Sequence, residues 1–443
     1  MNAEVRLLKT GAELALADTF VAAKPTLPGN GDVAAWREAA FERFALAGLP
    51  HRRIEEWKYT DLRALLRDAK PLASPPDASA KKRAAAAGRL PSDVASRRLV
   101  FVDGSFVAEL SDLAGLEPGL SVRSMAQALA DGDPLAATYF GRVFPVRDAA
   151  VDVNAALMGD GALIHIAAGV VIERPLHLVF ATVADKPAAI FMRSLVVVEK
   201  GARVALIESH QGAAGIDYQV NTALELVVDD EASVDHVKIV NEGTGALHVA
   251  SLMATLGARA KFNDFTFATG GAVVRNQLFL RFAGEGTTAD IRGVNLLTGR
   301  QHVDTTLVAD HAVGGCQARE LFKSVLDGEA RGVFQGKITV RPGAQKTDAK
   351  MMSRALLLSE GAEAFHKPEL EIFADDVQCG HGATTGALDG DLKFYLMARG
   401  IPAREAEALL IQAFVGEAVE AIGDEALRNA LLDTAAGWLT SRG

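Results

Sequence analysis

The chain has 443 residues, of which 49% are hydrophobic and 23% are charged, with a formal net charge of −10. This length and composition are typical of one large elongated globular unit with appended segments. The acidic balance excludes a protein that binds the nucleic-acid backbone, because such sites need a basic surface. Two cysteines cannot build a disulfide framework, which fits a reducing cytosol. The first residues contain no apolar signal core and no segment reaches membrane-spanning length, so we expect a cytoplasmic protein without membrane contact.

The N-terminal segment is predicted to be helical. Trp36, Ala40 and Phe44 recur at helical spacing behind Asp32, which is a predicted N-cap. A second helical pattern of leucines follows Thr60, another predicted cap. Two helices are therefore expected before the chain changes character.

The next stretch changes from helix to linker to strand. Residues 68–91 are rich in proline and alanine, which predicts a linker or a poorly ordered loop. A strand is predicted at 98–102, and Asp103-Gly104 is a hairpin turn signal. We therefore assign an N-terminal helical region with its linker to residues 1–95.

Short alternating strands dominate the centre of the sequence, from about residue 150 to 385. A loose unit recurs there, in which a turn is followed by a small residue and an alternating strand. Clear copies begin at Gly161, Gly201, Glu231, Gly257 and Gly286. The spacing is too irregular for propeller blades but suits a solenoid whose coils carry loops of different length. A mainly β core with a β-solenoid fold is predicted over 96–385; a β-sandwich or jelly roll is the alternative.

Helices are predicted again in a C-terminal domain at 386–443. The first runs from Asp389 to Arg399, the second follows Pro402, and Asp424 is placed to cap the third. Their apolar faces can bury part of their surface against each other. The remaining surface is expected to cover the open end of the solenoid, and docking of a partner is the alternative.

The best chemical candidate is Cys379, which lies two residues before His381. On a strand, these two side chains leave the same face. Thiolate and imidazole are good ligands for iron or zinc, and the imidazole could also hold the thiol deprotonated. A metal site usually has four ligands, so something else must supply the remainder. The alternative is a cysteine that only packs beside a structural histidine.

Other residues with possible chemistry show no ligand spacing. Cys316 is predicted to pack in the core. The remaining histidines considered are predicted to be surface or hydrogen-bonded residues, namely His165, His177, His210, His236, His248, His302 and His366. The sequence contains no Gly-rich lysine loop for nucleotides and no Gly-x-Ser-x-Gly elbow. A polysaccharide lyase or hydrolase on a solenoid would use acidic and basic side chains of one face, for which Asp264, Asp290, Arg292 and Asp304 are candidates.

Several motifs, in order along the chain, resemble the SufB/SufD family of iron–sulfur cluster assembly proteins. They lie at 55–60, 328–336, 340–349, 376–384 and 394–401. The resemblance runs from about residue 50 to the end. Where the SufB branch carries a cysteine in a Gly-Asp-Lys-Cys-type stretch, residues 359–364 contain none. The chain therefore resembles the SufD branch, and a stand-alone cluster scaffold is not expected.

The resemblance implies a right-handed parallel β-helix core between an N-terminal helical region and a C-terminal helical domain. It also implies two partners, SufB at the end of the β-helix and the ABC-type ATPase SufC at the helices of 389–422. The residues selected for the ATPase contact are Phe394, Tyr395, Arg399, Gly400 and Phe414.

The resemblance further implies that a nascent cluster forms between the SufB and SufD chains, and Cys379 and His381 match its ligands on the SufD side. The expected function is a non-catalytic subunit that supports iron acquisition. It would hold no cofactor stably by itself, only transient iron or an Fe–S cluster in the complex. An isolated chain is expected to form a homodimer. A purely structural heterodimer partner is the remaining alternative.

Overall fold

The computed structural model describes residues 9–90 and 94–441. The start of the chain, where no signal core was found, and Pro91 of the predicted linker lie outside the described residues. No helix within the described ranges is long and apolar enough to cross a membrane.

Along the chain, an N-terminal group of helices is followed by a long β region and then by a C-terminal group of helices. The helices are α1 Gly11–Ala23, α2 Asp32–Ala47, α3 Leu62–Leu65, α4 Ala78–Ala84, α5 Met125–Asp131, α6 Pro134–Tyr139, α7 Ala149–Leu157, α8 Gly390–Met397, α9 Ala403–Val419 and α10 Glu425–Ser441. The strands up to the middle of the chain are β1 Arg97–Val102, β2 Ser105–Phe106, β3 Leu120–Ser124, β4 Ala162–Ile166, β5 Leu176–Thr182, β6 Ala189–Val198, β7 Arg203–Gly212, β8 Gln219–Val228, β9 Ser233–Asn241 and β10 Leu247–Leu256. The later strands are β11 Lys261–Ala268, β12 Val273–Phe282, β13 Thr288–Leu297, β14 His302–His311, β15 Gln317–Leu326, β16 Arg331–Val340, β17 Asp348–Leu357, β18 Glu363–Ile372 and β19 Gln378–Gly386.

Successive strands alternate between two sheets. The first sheet has the order β19-β17-β15-β13-β11-β9-β7-β5-β1-β2, and the second has the order β18-β16-β14-β12-β10-β8-β6-β4-β3. Apart from the pairs β1–β2 and β3–β4, the neighbours are parallel. This is a parallel β-solenoid of about eight turns, as predicted, and the sandwich alternative is excluded. The predicted hairpin at Asp103-Gly104 joins β1 to β2, with both residues at positive φ.

The recurring unit in the sequence marks the corners of the coils. Glu231 and Arg259 both adopt left-handed backbone conformations, with φ of 60° and 54°. Their N–H groups donate to the carbonyls of Ala258 and Glu285 on the following coil. These bonds between stacked turns stabilise a conformation that residues with a side chain rarely adopt. The small residue after each turn, such as Ala260, is buried inside the corner.

The interior of the solenoid is filled by rows of side chains in register. One row, in chain order, consists of Leu226, Ala254, Leu280, Ala309 and Ile338, and all five are fully buried. Large and small residues alternate along it, so neighbouring coils fit without voids. Burial of such rows is the main favourable contribution to the stability of the fold.

The N-terminal helices α1 and α2 pack on the outer face of the second sheet. The sequence-predicted N-caps of α2 and α3 need correction, because the observed cap of each helix lies one residue away from the predicted one. Gly31 rather than Asp32 is the N-cap of α2. Asp61 rather than Thr60 caps α3, because its carboxylate accepts from the N–H of Ala64 at 3.0 Å. The Thr60 hydroxyl is used instead for tertiary contacts.

The stretch predicted as a linker contains ordered structure. Leu72 forms an isolated parallel bridge to Ala189 of the second sheet. Asp77 then caps α4, in which Ala80 and Ala84 are buried against the first sheet. The alanine side chains of this segment are small, so the helix backbone can lie close to the first sheet. Helices α5–α7 also interrupt the predicted β core, between β3 and β4.

The three C-terminal helices form where they were predicted, but α9 and α10 do not cover the end of the solenoid. Ile411, Val415 and Leu427 pack against outward-facing residues of the first sheet such as Val237 and Phe265. Expecting the helices to cover the open end was therefore wrong. The outer face of the first sheet carries apolar residues at these positions, and the helices bury them.

Candidate metal half-site at the last coil

The site begins with an unpaired sheet edge. β19 is the last strand of the first sheet and pairs with β17 on one side. β18 is the last strand of the second sheet and pairs with β16. Among the described residues, neither strand has a neighbour on its other side. An edge of this kind exposes unpaired backbone donors and acceptors, which favours pairing with another chain.

Cys379 and His381 lie on the inner face of this last strand. Parallel pairing places Cys379 next to Ala349 and His381 next to Met351. Ala349 and Met351 belong to the interior core. Cys379 is half-buried against that core, whereas His381 is exposed at the mouth of the solenoid. The structure thus places both side chains on one face, as the spacing predicted.

A third residue of the same region was missed by the sequence analysis. His381 pairs in register with Met351 on β17, and Met351 pairs with Glu320 on β15, so the three residues form one row across neighbouring strands. Glu320 is 3% exposed, and neither carboxylate oxygen has a hydrogen-bond partner in the described structure. Burial raises the pKa of Glu320 to about 8. The sequence contained one signal, a charged residue between the inward-facing Ala318 and Phe322, but its relation to His381 depends on the register of three coils.

The Cys379 thiol is protonated at neutral pH. Burial raises its pKa, and the nearby carboxylate of Asp348 raises it further. The expectation that His381 would hold the thiol deprotonated is therefore wrong for the free chain. A metal ion that binds the sulfur must displace this proton.

A groove of about 600 Å³ lies beside the last strand, between the first sheet and α9. Its lining includes Cys379 and His381 and the basic side chains of Arg319, Lys350 and Arg354. Asp290, Glu320 and Glu417 also line the groove, and Arg319 and Arg354 pair with Asp348 and Glu417, so the basic charge is largely compensated.

Of the residues predicted to bind an ATPase, Phe394 and Tyr395 lie on α8, and Arg399 and Gly400 follow directly after its end. None of the residues of this helix is buried. Phe394 is 73% exposed and Tyr395 is 53% exposed, and the guanidinium of Arg399 lies over the Tyr395 ring at 3.4 Å from its centroid. Gly400 ends the segment with φ of 86°. All four residues are exposed and close in the chain, and we call them the α8 surface.

Phe414, the fifth residue of that prediction, lies apart on α9. It is half-buried in the cluster that attaches α9 to the first sheet. The ammonium group of Lys323 lies 4.4 Å from the centre of its ring. Phe414 therefore contributes to packing, and only part of its ring is available to a partner.

Two family models match the chain. The SUF system FeS cluster assembly SufBD core domain matches residues 180–414, and the SufBD protein N-terminal region matches residues 30–178. The chain belongs to the SufBD family. An iron–sulfur cluster assembly SufBD family protein of Synechocystis is 33% identical over 87% of this chain and 86% of the relative. The iron–sulfur cluster assembly protein SufD of Escherichia coli is 31% identical over 87% of this chain and 88% of its own length. SufD of Bacillus subtilis is 29% identical over 63% of this chain and 64% of its own length.

The motif at 55–60 of this SufBD chain attaches the N-terminal region to the second sheet. The Trp57 indole donates to Asp148 at 2.7 Å, and the Arg275 guanidinium lies 4.5 Å from its ring. Arg275 forms a fully buried ion pair with Asp304, which also accepts from Thr60 at 2.5 Å. This role is structural, since the motif binds outer-face residues and not the half-site.

The residues considered for a polysaccharide enzyme do not share an exposed face. Asp264 lies inside the solenoid and contacts His236 at 2.6 Å. Asp304 is fully buried under the N-terminal region on the second sheet. Asp290 and Arg292 pair with each other on the first sheet. These four residues therefore do not form the row of exposed acidic and basic side chains that a polysaccharide enzyme would require.

Two histidines that the sequence analysis treated as ordinary belong to a buried cluster. Ligand atoms of His210, Glu242 and His248 all lie within 4.8 Å of one another. Burial lowers the pKa of both imidazoles. His210 and His248 lie on different strands and Glu242 lies in the loop after β9, so no local spacing in the sequence identifies the group. Cys316, in contrast, is fully buried in the core as predicted.

Proposed function

We propose that this chain is a non-catalytic subunit of an iron–sulfur cluster assembly complex, in which it pairs with a SufB chain. Cys379 and His381 would contribute ligands to a nascent cluster formed between the two chains. The cluster is the cargo of the complex, and the chain alone holds it only transiently. The observation that carries the proposal is the position of a thiol and an imidazole on the inner face of an unpaired last coil.

The two residues have different parts in this proposal. His381 is exposed at the mouth of the solenoid, so it can reach a metal ion held partly by another chain. Cys379 is half-buried, and its thiol must lose a proton before it can bind. We therefore expect His381 to be the primary ligand and Cys379 to bind second or to tune the site. A partner strand beside β19 would supply the missing ligands, exclude water and complete the backbone pairing.

We further propose that the α8 surface docks the ATPase SufC. Exposed aromatic and apolar side chains with an adjacent arginine are typical of the residues that dominate binding energy. The surface is connected to the half-site through α9, since Glu417 forms ion pairs with Lys323 on β15 and Arg354 on β17. β17 is the direct neighbour of β19. ATP-dependent movement of the docked helices can thereby bias the arrangement of the last coil, which supports a role in iron acquisition.

The unpaired edge also supports a homodimer when SufB is missing. Two copies that pair their last coils would make the same contacts in both directions, as a two-fold axis requires. This homodimer would cover the half-site and would compete with SufB.

Cluster loading of the reconstituted complex tests the proposal. The variant His381→Ala is combined with SufB and SufC, and iron and sulfide are measured for each complex. We expect cluster content to fall at least about threefold while the complex stays intact. His165→Ala is the matched control, because His165 is also partly exposed but lies on β4, far along the solenoid. Unchanged loading in His381→Ala would reject the ligand role.

A purely structural partner is the second candidate. The packing of Cys379 against the interior core and the raised pKa of its thiol favour this alternative. The double variant Cys379→Ser/His381→Ala separates the two functions. Normal cluster content in the intact complex would favour the structural function, and loss of cluster from an intact complex would favour the ligand function.

A further inference from the structure

A second group of possible metal ligands lies inside the solenoid, away from the half-site. His210 is near the end of β7, Glu242 follows β9 directly, and His248 is near the start of β10. Their exposed fractions are 1%, 5% and 0%. β7 and β19 are six strand positions apart in the first sheet, or about 29 Å at about 4.8 Å for each strand. The group is therefore independent of the proposed function.

The imidazole of His210 has no hydrogen-bond partner for either ring nitrogen in the described structure. Nε2 of His248 also has none, while Nδ1 of His248 lies 3.0 Å from Glu242 Oε1. A buried polar group without a partner costs about 1–3 kcal/mol. The ring of His210 is held in place, because it stacks on Phe180 at 4.6 Å and meets the His248 ring edge-on at 4.8 Å. Such fixed, unsatisfied nitrogen atoms are suited to binding a ligand.

The carboxylate of Glu242 is held by a second layer of contacts. The Tyr218 hydroxyl donates to Glu242 Oε2 at 2.6 Å and accepts from the N–H of Gly243 at 2.7 Å. Gly212 leaves room for this hydroxyl, since a Cβ there would lie 2.0 Å from it. Hydrogen bonds to a ligating carboxylate are the usual support of a metal site. The direct contacts of Glu242 are a phenol hydroxyl and an imidazole, and the buried ammonium group of Lys238 acts on it without a direct hydrogen bond and is shared with Glu208 and Asp264. A metal ion bound to the carboxylate would compensate its charge directly.

We propose that His210, Glu242 and His248 bind one divalent transition-metal ion, Zn²⁺ or Fe²⁺, inside the solenoid. Two imidazoles and a carboxylate are ligands that both ions accept. Ligand atoms on a tetrahedral ion with bonds of about 2.0–2.1 Å lie about 3.3 Å apart. The spacing of Nδ1 of His248 and Oε1 of Glu242 is already close to this value, and His210 has to approach them. The bound ion would join three coil ends and stabilise the corner.

The test uses the full chain, without an affinity tag, in a Cys379→Ser/His381→Ala background that removes the half-site ligands. The protein is treated with a chelator, dialysed and titrated with Co²⁺ as the spectroscopic probe. Zn²⁺ and Fe²⁺ are then added separately, and bound metal is measured by elemental analysis. We expect one equivalent of metal, visible Co²⁺ ligand-field bands and a higher melting temperature with metal.

Three variants decide which residues bind the ion. His210→Gln and His248→Gln should each weaken binding about tenfold or more, with circular dichroism used to verify the fold. Glu242→Gln provides the same test if a histidine variant fails to fold. His311→Gln is the matched control, because His311 is also fully buried with two unpartnered ring nitrogens but stacks on Phe282 outside the group.

The expected pattern is one bound ion in the parent and in His311→Gln, and weak binding in the other folded variants. Three results would overturn the proposal. They are the absence of stoichiometric binding in the parent, binding that is unchanged in the variants of the three ligands, and an equal loss of binding in His311→Gln.

Discussion

Because Glu320 is buried, we predict that the chain loses stability as the pH rises from 4.5 to about 8. Its pKa is about 8 in the folded chain, compared with 4.5 as the ordinary value, and burial is the cause. Below pH 4.5 the carboxyl is protonated in both the folded and the unfolded chain, so its contribution to stability is fully present there. As pH rises towards about 8, the unfolded chain ionises while the folded chain stays protonated, and stability is lost progressively.

The magnitude follows from the two pKa values. At about 1.4 kcal/mol for each pH unit, the difference between 4.5 and about 8 corresponds to about 5 kcal/mol above pH 8 and about 3 kcal/mol at pH 7. Glutamine has the shape and neutrality of the protonated carboxyl. Glu320→Gln is therefore expected to be about 3 kcal/mol more stable than the wild type at pH 7 and equally stable near pH 4.5.

Urea denaturation at a series of pH values from 4.5 to 8.5 measures this difference. Glu360→Gln is the control, because Glu360 is exposed and its substitution should leave the pH profile of the wild type unchanged. If Glu320→Gln and the wild type lose stability in parallel as pH rises, Glu320 is ionised in the folded chain and the reasoning about this row of the solenoid is refuted.

Two further predictions concern the attachment of the N-terminal region and the α8 surface. Asp304→Asn leaves Arg275 buried without its counter-charge, so the free energy of unfolding should fall by about 3–5 kcal/mol, measured by denaturant midpoint. Asp290→Asn, which breaks a partly exposed pair, should cost less than about 1 kcal/mol; equal effects of the two variants would contradict the burial argument. Phe394→Ser with Tyr395→Ser should abolish SufC binding in calorimetry without lowering the melting temperature, since both rings are exposed. Leu14→Ser, at an equally exposed position on α1, should leave binding intact, and retained SufC binding in the double variant would contradict the docking proposal.

The solenoid could be predicted from the sequence because its corners are local features. The turn, the small residue and the alternating strand lie within a few neighbouring residues. The small residue after the turn, such as Ala260, is buried inside the corner of its coil. The shared face of Cys379 and His381 was predictable from the two-residue period of a strand. The start of α8 is likewise set locally by the Asp389 carboxylate, which accepts from the N–H groups of Asp391 and Leu392, and the start of α9 by Pro402, whose fixed φ suits a helix start.

Other features depend on contacts between distant parts of the chain. The apolar face of α9 indicates burial but does not identify its partner, so its position on the first sheet could not be predicted. Glu320 reaches the row of His381 only through the register of three coils. His210 and His248 meet because the end of β7 and the start of β10 lie at one corner, and loops of irregular length hide that relation in the sequence.

The most direct test of the central claim is the reactivity of Cys379 in the free chain and in the complex. The chain has two cysteines, and Cys316 is fully buried, so alkylation at mildly alkaline pH reports on Cys379. We predict that the thiol is modified in the isolated monomer and is protected when SufB and a cluster are present, with reactivity restored after the cluster is removed and the chains are separated. Equal rates of modification in all of these states would contradict a metal site that the second chain completes.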